Sequence, residues 1–88
     1  MDDGRPLRVF PDRYSIKAVG KDIDDFESHA VSVVESALDI KTGIEHKSRK
    51  SKNGSYLSVT VYFTSVSQEE LDQVFTTVNA DDRVVWVL

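Results

Sequence analysis

The densest chemistry in this 88-residue chain is a run of cations. Lys47, Arg49, Lys50 and Lys52 crowd together just ahead of an Asn53-Gly54 pair. Ammonium and guanidinium groups at that density can hold phosphate, nucleic acid or an acidic protein. The same charges equally suit a solvated edge strand that must refuse neighbouring strands. A second candidate is Gly20-Lys21-Asp22, which joins a strand to a helix. Free backbone N–H groups at such a helix start can hold a small anion or carboxylate. The alternative there is a plain tight turn. Tyr56 and Tyr62 would share one strand face, where their rings could stack on bases.

The remaining polar residues offer less. His29 and His46 lack metal-ligand spacing, and the chain has no cysteine. Asp25 and His29 sit at i, i+4, which predicts a hydrogen bond or ion pair along a helix flank. Asp22, Asp24, Asp25, Asp81 and Asp82 read as cap and turn residues. Paired-carboxylate catalysis would need a cleft, which no sequence feature suggests, and a glycine-rich phosphate loop with an arginine after strand one is absent. The chain is therefore expected to be no enzyme, with no catalytic residue, metal or cofactor.

Composition bounds the frame. Apolar residues make up 40% and charged residues 30%, as in one soluble globular domain. No apolar run approaches a membrane span, and Met1 to Pro6 is acidic and polar, unlike a signal peptide. With no cysteine, a cytoplasmic location is expected. The net charge of −4 hides an asymmetry. Residues 41–52 hold five bases against one acid, a local +4, and the rest of the chain carries −8. That acidic remainder disfavours nucleic acid as a partner.

The elements that must carry these residues follow from periodicity. Residues 1–9 read as a flexible tail and 10–88 as the domain. Arg13 to Gly20 alternates as a first strand. Asp22 or Ile23 to about Asp39 forms a helix, with Phe26, Ala30, Val33, Val34, Ala37 and Leu38 on one face and Asp22 as its cap. Thr42 to about Lys50 is a charged second strand. Lys52-Asn53-Gly54-Ser55 is a hairpin turn. Tyr56 to about Thr64 is the cleanest strand, with Leu57, Val59, Val61 and Phe63 inward. Ser67 and Glu70 form a capping box for a second helix, whose buried stripe is Leu71, Val74, Phe75 and Val78. Arg83 to Leu88 is the last strand, with Trp86 in core or edge packing.

The order β-α-β-β-α-β predicts an α+β, ferredoxin-like split βαβ domain. It has an antiparallel sheet of order 4-1-3-2 with two helices on one face. Strand two and strand four are the edges. The last strand is the natural place for a weak homodimer, or for docking of another protein by β-augmentation. RNA-recognition modules use the same architecture, and Lys52-Asn53-Gly54-Ser55-Tyr56-Leu57 is faintly similar to their basic, glycine and aromatic run. Strand one offers no matching aromatic, since its face shows Ser15, Lys17 and Val19.

Several segments together resemble the YbeD-like bacterial proteins (uncharacterised protein family 0250, domain of unknown function 493). They are Phe10-Pro11 with Ala18-Val19-Gly20, Val31 to Glu35, Lys52 through Val61, and Val87-Leu88. The likeness runs from about Phe10 to Leu88. It implies a ferredoxin-like fold close to ACT-type regulatory domains, in a stand-alone cytoplasmic protein without catalytic residues. It also implies a regulatory role, with a link to lipoate metabolism suggested for a relative. In amino-acid-binding ACT-type domains the strand–helix turn is the usual effector site, which here would be Gly20 to Asp22. The leading expectation is a regulatory or ligand-binding module that answers to a small-molecule effector or a protein partner. The alternative is a nucleic-acid or anion site at Lys47, Arg49, Lys50, Lys52 and Tyr56.

Overall fold

Period-two alternation builds the frame. In the computed structural model, which describes residues 11–88, Leu57, Val59, Val61 and Phe63 of one strand are all buried on a single face. That strand, β3 (Tyr56–Ser65), pairs antiparallel with β1 (Asp12–Lys21) along its whole length, from Asp12 opposite Ser65 to Lys21 opposite Tyr56. The edges are β2 (Glu45–Lys50) on β3 and β4 (Val84–Val87) on β1. The sheet order is β2-β3-β1-β4, the expected order counted from the other edge. Helices α1 (Phe26–Ser36) and α2 (Gln68–Asn79) cover one face. Their apolar stripes, Phe26, Ala30 and Val34 with Leu38 beyond, and Leu71, Val74 and Val78, close the core over Ile16 and Ala18. The expected tail over 1–9 and the Phe10 docking point lie outside the described residues.

Local chemistry corrects several expected boundaries. Helix α1 starts at Phe26 rather than Asp22, because Asp24 and Asp25 both take left-handed backbone (φ 50 and 54) that ends any helical run before them. Asp22 does not cap it. Its amide donates to Ser55 O at 3.1 Å and its carboxylate lies 3.3 Å from Lys50 Nζ. The Arg83 guanidinium instead secures the bent entry, donating to the carbonyls of Ile23 and Asp24 and lying 5.6 Å from the centre of the Phe26 ring. At the other end α1 stops at Ser36. Lys41 Nζ there donates to the carbonyls of Glu35 (2.9 Å) and Leu38.

Half of the expected capping box forms. Ser67 Oγ accepts from Glu70 N at 3.1 Å. The Glu70 carboxylate does not return to Ser67. It accepts from Val66 N (2.9 Å), from Asp39 N (2.7 Å) and from Ser65 Oγ (3.2 Å), and so ties the turn before α2 to the loop after α1. Burial by itself would raise the Glu70 pKa. The donors from Asp39, Val66 and Ser65, with the Lys41 charge, outweigh burial and hold it below the ordinary value.

Further expectations about Phe75, Trp86 and the start of β2 are corrected. Phe75 is 37% exposed, since three residues, Leu71, Val74 and Val78, already fill the α2 stripe. Trp86 is 66% exposed, because register sets it opposite Val19 on the face without helices. The hairpin turn does lie over Lys52-Asn53-Gly54-Ser55, closed by Ser51 N donating to Tyr56 O at 2.9 Å. Only Gly54 (φ 76) has positive φ there, and Asn53 acts through its side chain, whose Oδ1 accepts from Ser55 N at 3.1 Å. Strand β2 begins at Glu45 rather than Thr42, and all of it is exposed.

A candidate anion-binding face of the sheet

Side chains alternate across a strand, so register decides which cations meet. On β1 the odd positions face away from the helices, and on β3 the even ones do. Lys17 stands opposite Thr60, and Thr60 opposite Lys47 on β2. Val19 stands opposite Ser58, and Ser58 opposite Arg49. Strand spacing of about 4.8 Å puts the backbones of Lys17 and Lys47 about 10 Å apart, with the Thr60 hydroxyl between them. Lys17, Lys47, Ser48, Arg49, Ser58 and Thr60 line a shallow concavity of about 340 Å³. Lys47 Nζ lies 5.7 Å from the centre of the Tyr62 ring, a cation–π contact that holds the ammonium over the sheet. Three cations on one concavity, with the Ser58 and Thr60 hydroxyls on the same sheet face, can take up a phosphate-like or carboxylate anion.

The surroundings sharpen this. The single acid of β2 and β3 on this face, Glu45, is held by Arg13 at 2.7 Å. The helices carry only acids among their charged residues: Glu27 and Glu35 on α1, Glu69, Glu70 and Asp72 on α2. The described domain is therefore two-signed, with positive charge on the open sheet face and negative charge on the helix layer.

The expected basic cluster divides accordingly. Lys47 and Arg49 face the open side. Lys50 has the opposite parity and lies toward Asp22. Lys52 sits in the hairpin loop, where Ser51, Lys52, Asn53 and Tyr56 line a separate shallow concavity. Sequence reasoning passed over Lys17, Ser58 and Thr60 as site residues. The signal for them was available, because pairing β1 with β3 and β3 with β2 carries Lys17 to Lys47.

The strand–helix turn has a different character from the one expected. Gly20 and Lys21 belong to β1, and α1 begins several residues later. The Asp22 amide is used by Ser55 O and the Ile23 amide by Lys21 O (2.9 Å), so neither is offered to a ligand. Gly20 serves close packing: a Cβ there would lie 2.5 Å from Phe26 Cε1 and closer still to the Arg83 carbonyl oxygen.

Both histidines lie within hydrogen-bond distance of a carboxylate. His29 Nε2 lies 2.9 Å from both carboxylate oxygens of Asp81, not against the Asp25 side chain; with Asp25 it shares only a backbone bond, His29 N to Asp25 O. Burial pushes the Asp81 carboxyl up, but the His29 and Arg83 N–H donors and their charges hold it below its ordinary range. His46 Nε2 lies 2.9 Å from Glu27. Among the described residues no group of three or more His, Cys, Asp or Glu could hold a metal ion, and no helix is long and apolar enough to cross a membrane.

Known proteins show the same pattern of sequence and fold. A family model described as a protein of unknown function (DUF493) matches residues 5–88. A UPF0250 protein of Shewanella halifaxensis is 36% identical over 83 residues, covering 93% of this chain and 91% of that one. A UPF0250 protein of Ectopseudomonas mendocina is 34% identical over 91 residues, covering 98% and 96%. The solution structure of protein HP0495 from H. pylori superposes with a TM-score of 0.78 at 19% identity, covering 99% of this chain and 91% of that one, and so shares the fold. A match over nearly the whole chain, with relatives of this similarity, makes the chain a member of the DUF493 family.

Proposed function

We propose that this protein is a non-catalytic binding module whose site is the open sheet face, and that its ligand is anionic. The observation that carries this is the convergence of Lys17, Lys47 and Arg49 on Ser58 and Thr60, in a chain whose net charge is negative. Cations gathered against the overall sign mark a local electrostatic site rather than a general one. The non-catalytic reading is supported by where the reactive groups are spent. Glu70 is consumed in tying two loops, and His29 and His46 in contacts with the carboxylates of Asp81 and Glu27. A regulatory, ACT-like role fits a module that acts by binding; it extends from the family resemblance, as does the link to lipoate metabolism.

The test is an amide correlation spectrum titrated with inorganic pyrophosphate. Shifts are expected at Lys17, Lys47, Arg49, Ser58 and Thr60, saturating with concentration. The double substitution Lys17→Ala, Lys47→Ala should weaken binding at least about tenfold, the scale of one to two charge-assisted hydrogen bonds. Shifts confined to Gly20–Asp22 would instead return the site to the strand–helix turn, and unchanged spectra would remove the anion site.

A further inference from the structure

We infer that the anion recognised by this face is the backbone of a single-stranded nucleic acid. This rests on the anion-binding reading above and adds the class of ligand. Three observations carry it. First, the cations extend past the central concavity: Lys21 shares the parity of Lys17 on β1 and stands opposite Tyr56, so the positive strip is longer than one small anion needs. Second, aromatic rings border the strip on the same face. Tyr62 lies under Lys47, and Trp86 stands opposite Val19, next in register to Ser58 and Arg49. Trp86 is two-thirds exposed, so the indole is open to a stacking partner. A positive groove bordered by ring faces is the chemistry of single-strand binding, in which phosphates meet cations and bases stack on aromatics. An acidic peptide would use the cations and leave the rings idle. Third, the five acids of the helices stand on the other side of the sheet, and near the strip Glu45 is held by Arg13 while Asp82, which shares a concavity with Lys21, has Arg83 in the same lining. The objection from net charge therefore does not apply to the central concavity, whose lining holds three cations and no acid. An open sheet face also lacks a protruding helix or ribbon to enter a duplex groove, which favours the single strand.

The experiment is fluorescence anisotropy of a labelled mixed-sequence RNA 12-mer with the full chain. Three phosphate contacts predict a slope of log affinity against log salt of about −2, so raising salt from about 50 to about 200 mM should weaken binding about twentyfold. Lys47→Ala should reduce the slope to about −1.4. Trp86→Ala should weaken binding about tenfold with the slope unchanged, and Trp86→Phe should restore most of it, since the ring is what the base meets. No binding at about 50 mM salt overturns the inference. Equal binding of polyglutamate overturns it too, as does indifference to Trp86→Ala. If the RNA fails while pyrophosphate still shifts Lys17, Lys47 and Arg49, the ligand class is wrong and the anion site stands; if both fail, both are wrong.

Discussion

Gly20→Ala is expected to destabilise the fold by about 3 kcal/mol or more, at the upper end for an overpacked core. The added methyl would sit 2.5 Å from Phe26 Cε1 and nearer to the Arg83 carbonyl. Neither neighbour moves easily. The Phe26 ring is buried and has the Arg83 guanidinium above it, and the Arg83 carbonyl belongs to the segment that leads into β4. The guanidinium also ties the Ile23 and Asp24 carbonyls, so relief at one contact disturbs the entry to α1. For a domain of this size each kcal/mol moves the melting temperature by roughly 4–8 °C, so a drop of at least about 12 °C is expected in a thermal melt. A melt within about 2 °C of the parent would show that the ring slides aside at almost no cost.

Glu70→Ala should cost a similar amount, about 3 kcal/mol, by leaving the amides of Val66 and Asp39 without their acceptor at roughly 1–3 kcal/mol each. Its signature is in the pH dependence. The Glu70 pKa is lowered in the folded state, below an ordinary value of 4.5. A depressed acid contributes stability that is present above its unfolded pKa and lost as pH falls through the folded pKa. Urea midpoints of parent and variant should therefore differ most at neutral pH and converge in strong acid. A gap that stays constant down to about pH 2 would mean that the carboxylate charge contributes nothing and the side chain acts by packing alone. Glu70→Gln separates the two further. It keeps the volume, but one of its two oxygens becomes an amide donor facing a backbone donor, so it should recover only part of the loss.

The frame was legible in the sequence wherever one residue carried one role. The period-two run Tyr56–Ser65, the Ser67 cap and the apolar stripe of α2 each named their element directly. The sheet order followed from element order and the handedness of crossovers. Where the sequence misled, two effects competed locally. Asp22 looks like a cap, but the left-handed pair Asp24-Asp25, tethered through Arg83 from 59 residues away, moves the helix start to Phe26. Asp25 and His29 have helical spacing, yet Asp81 arrives from the far end of the chain and takes the imidazole. The candidate site was half legible. A linear run displays Lys47, Arg49, Lys50 and Lys52 as one cluster, whereas strand alternation divides them between two faces. Lys17, 30 residues from Lys47, joins only through the register of two strand pairs.

The division of charge between sheet and helices has a consequence for how copies of the molecule treat one another. A net charge of −4 suggests mutual repulsion at neutral pH. A positive face on one copy and a negative face on the next instead attract head to tail, and a heterologous contact of that kind runs on into open chains unless its rotation closes a ring. In dilute buffer this attraction should draw the protein out of solution as pH falls toward its isoelectric point near 5.0. Added salt, which shortens the Debye length to about 8 Å at physiological strength, should redissolve it. Turbidity followed against added salt measures it, and clouding that salt leaves unchanged would mean that the two faces do not attract.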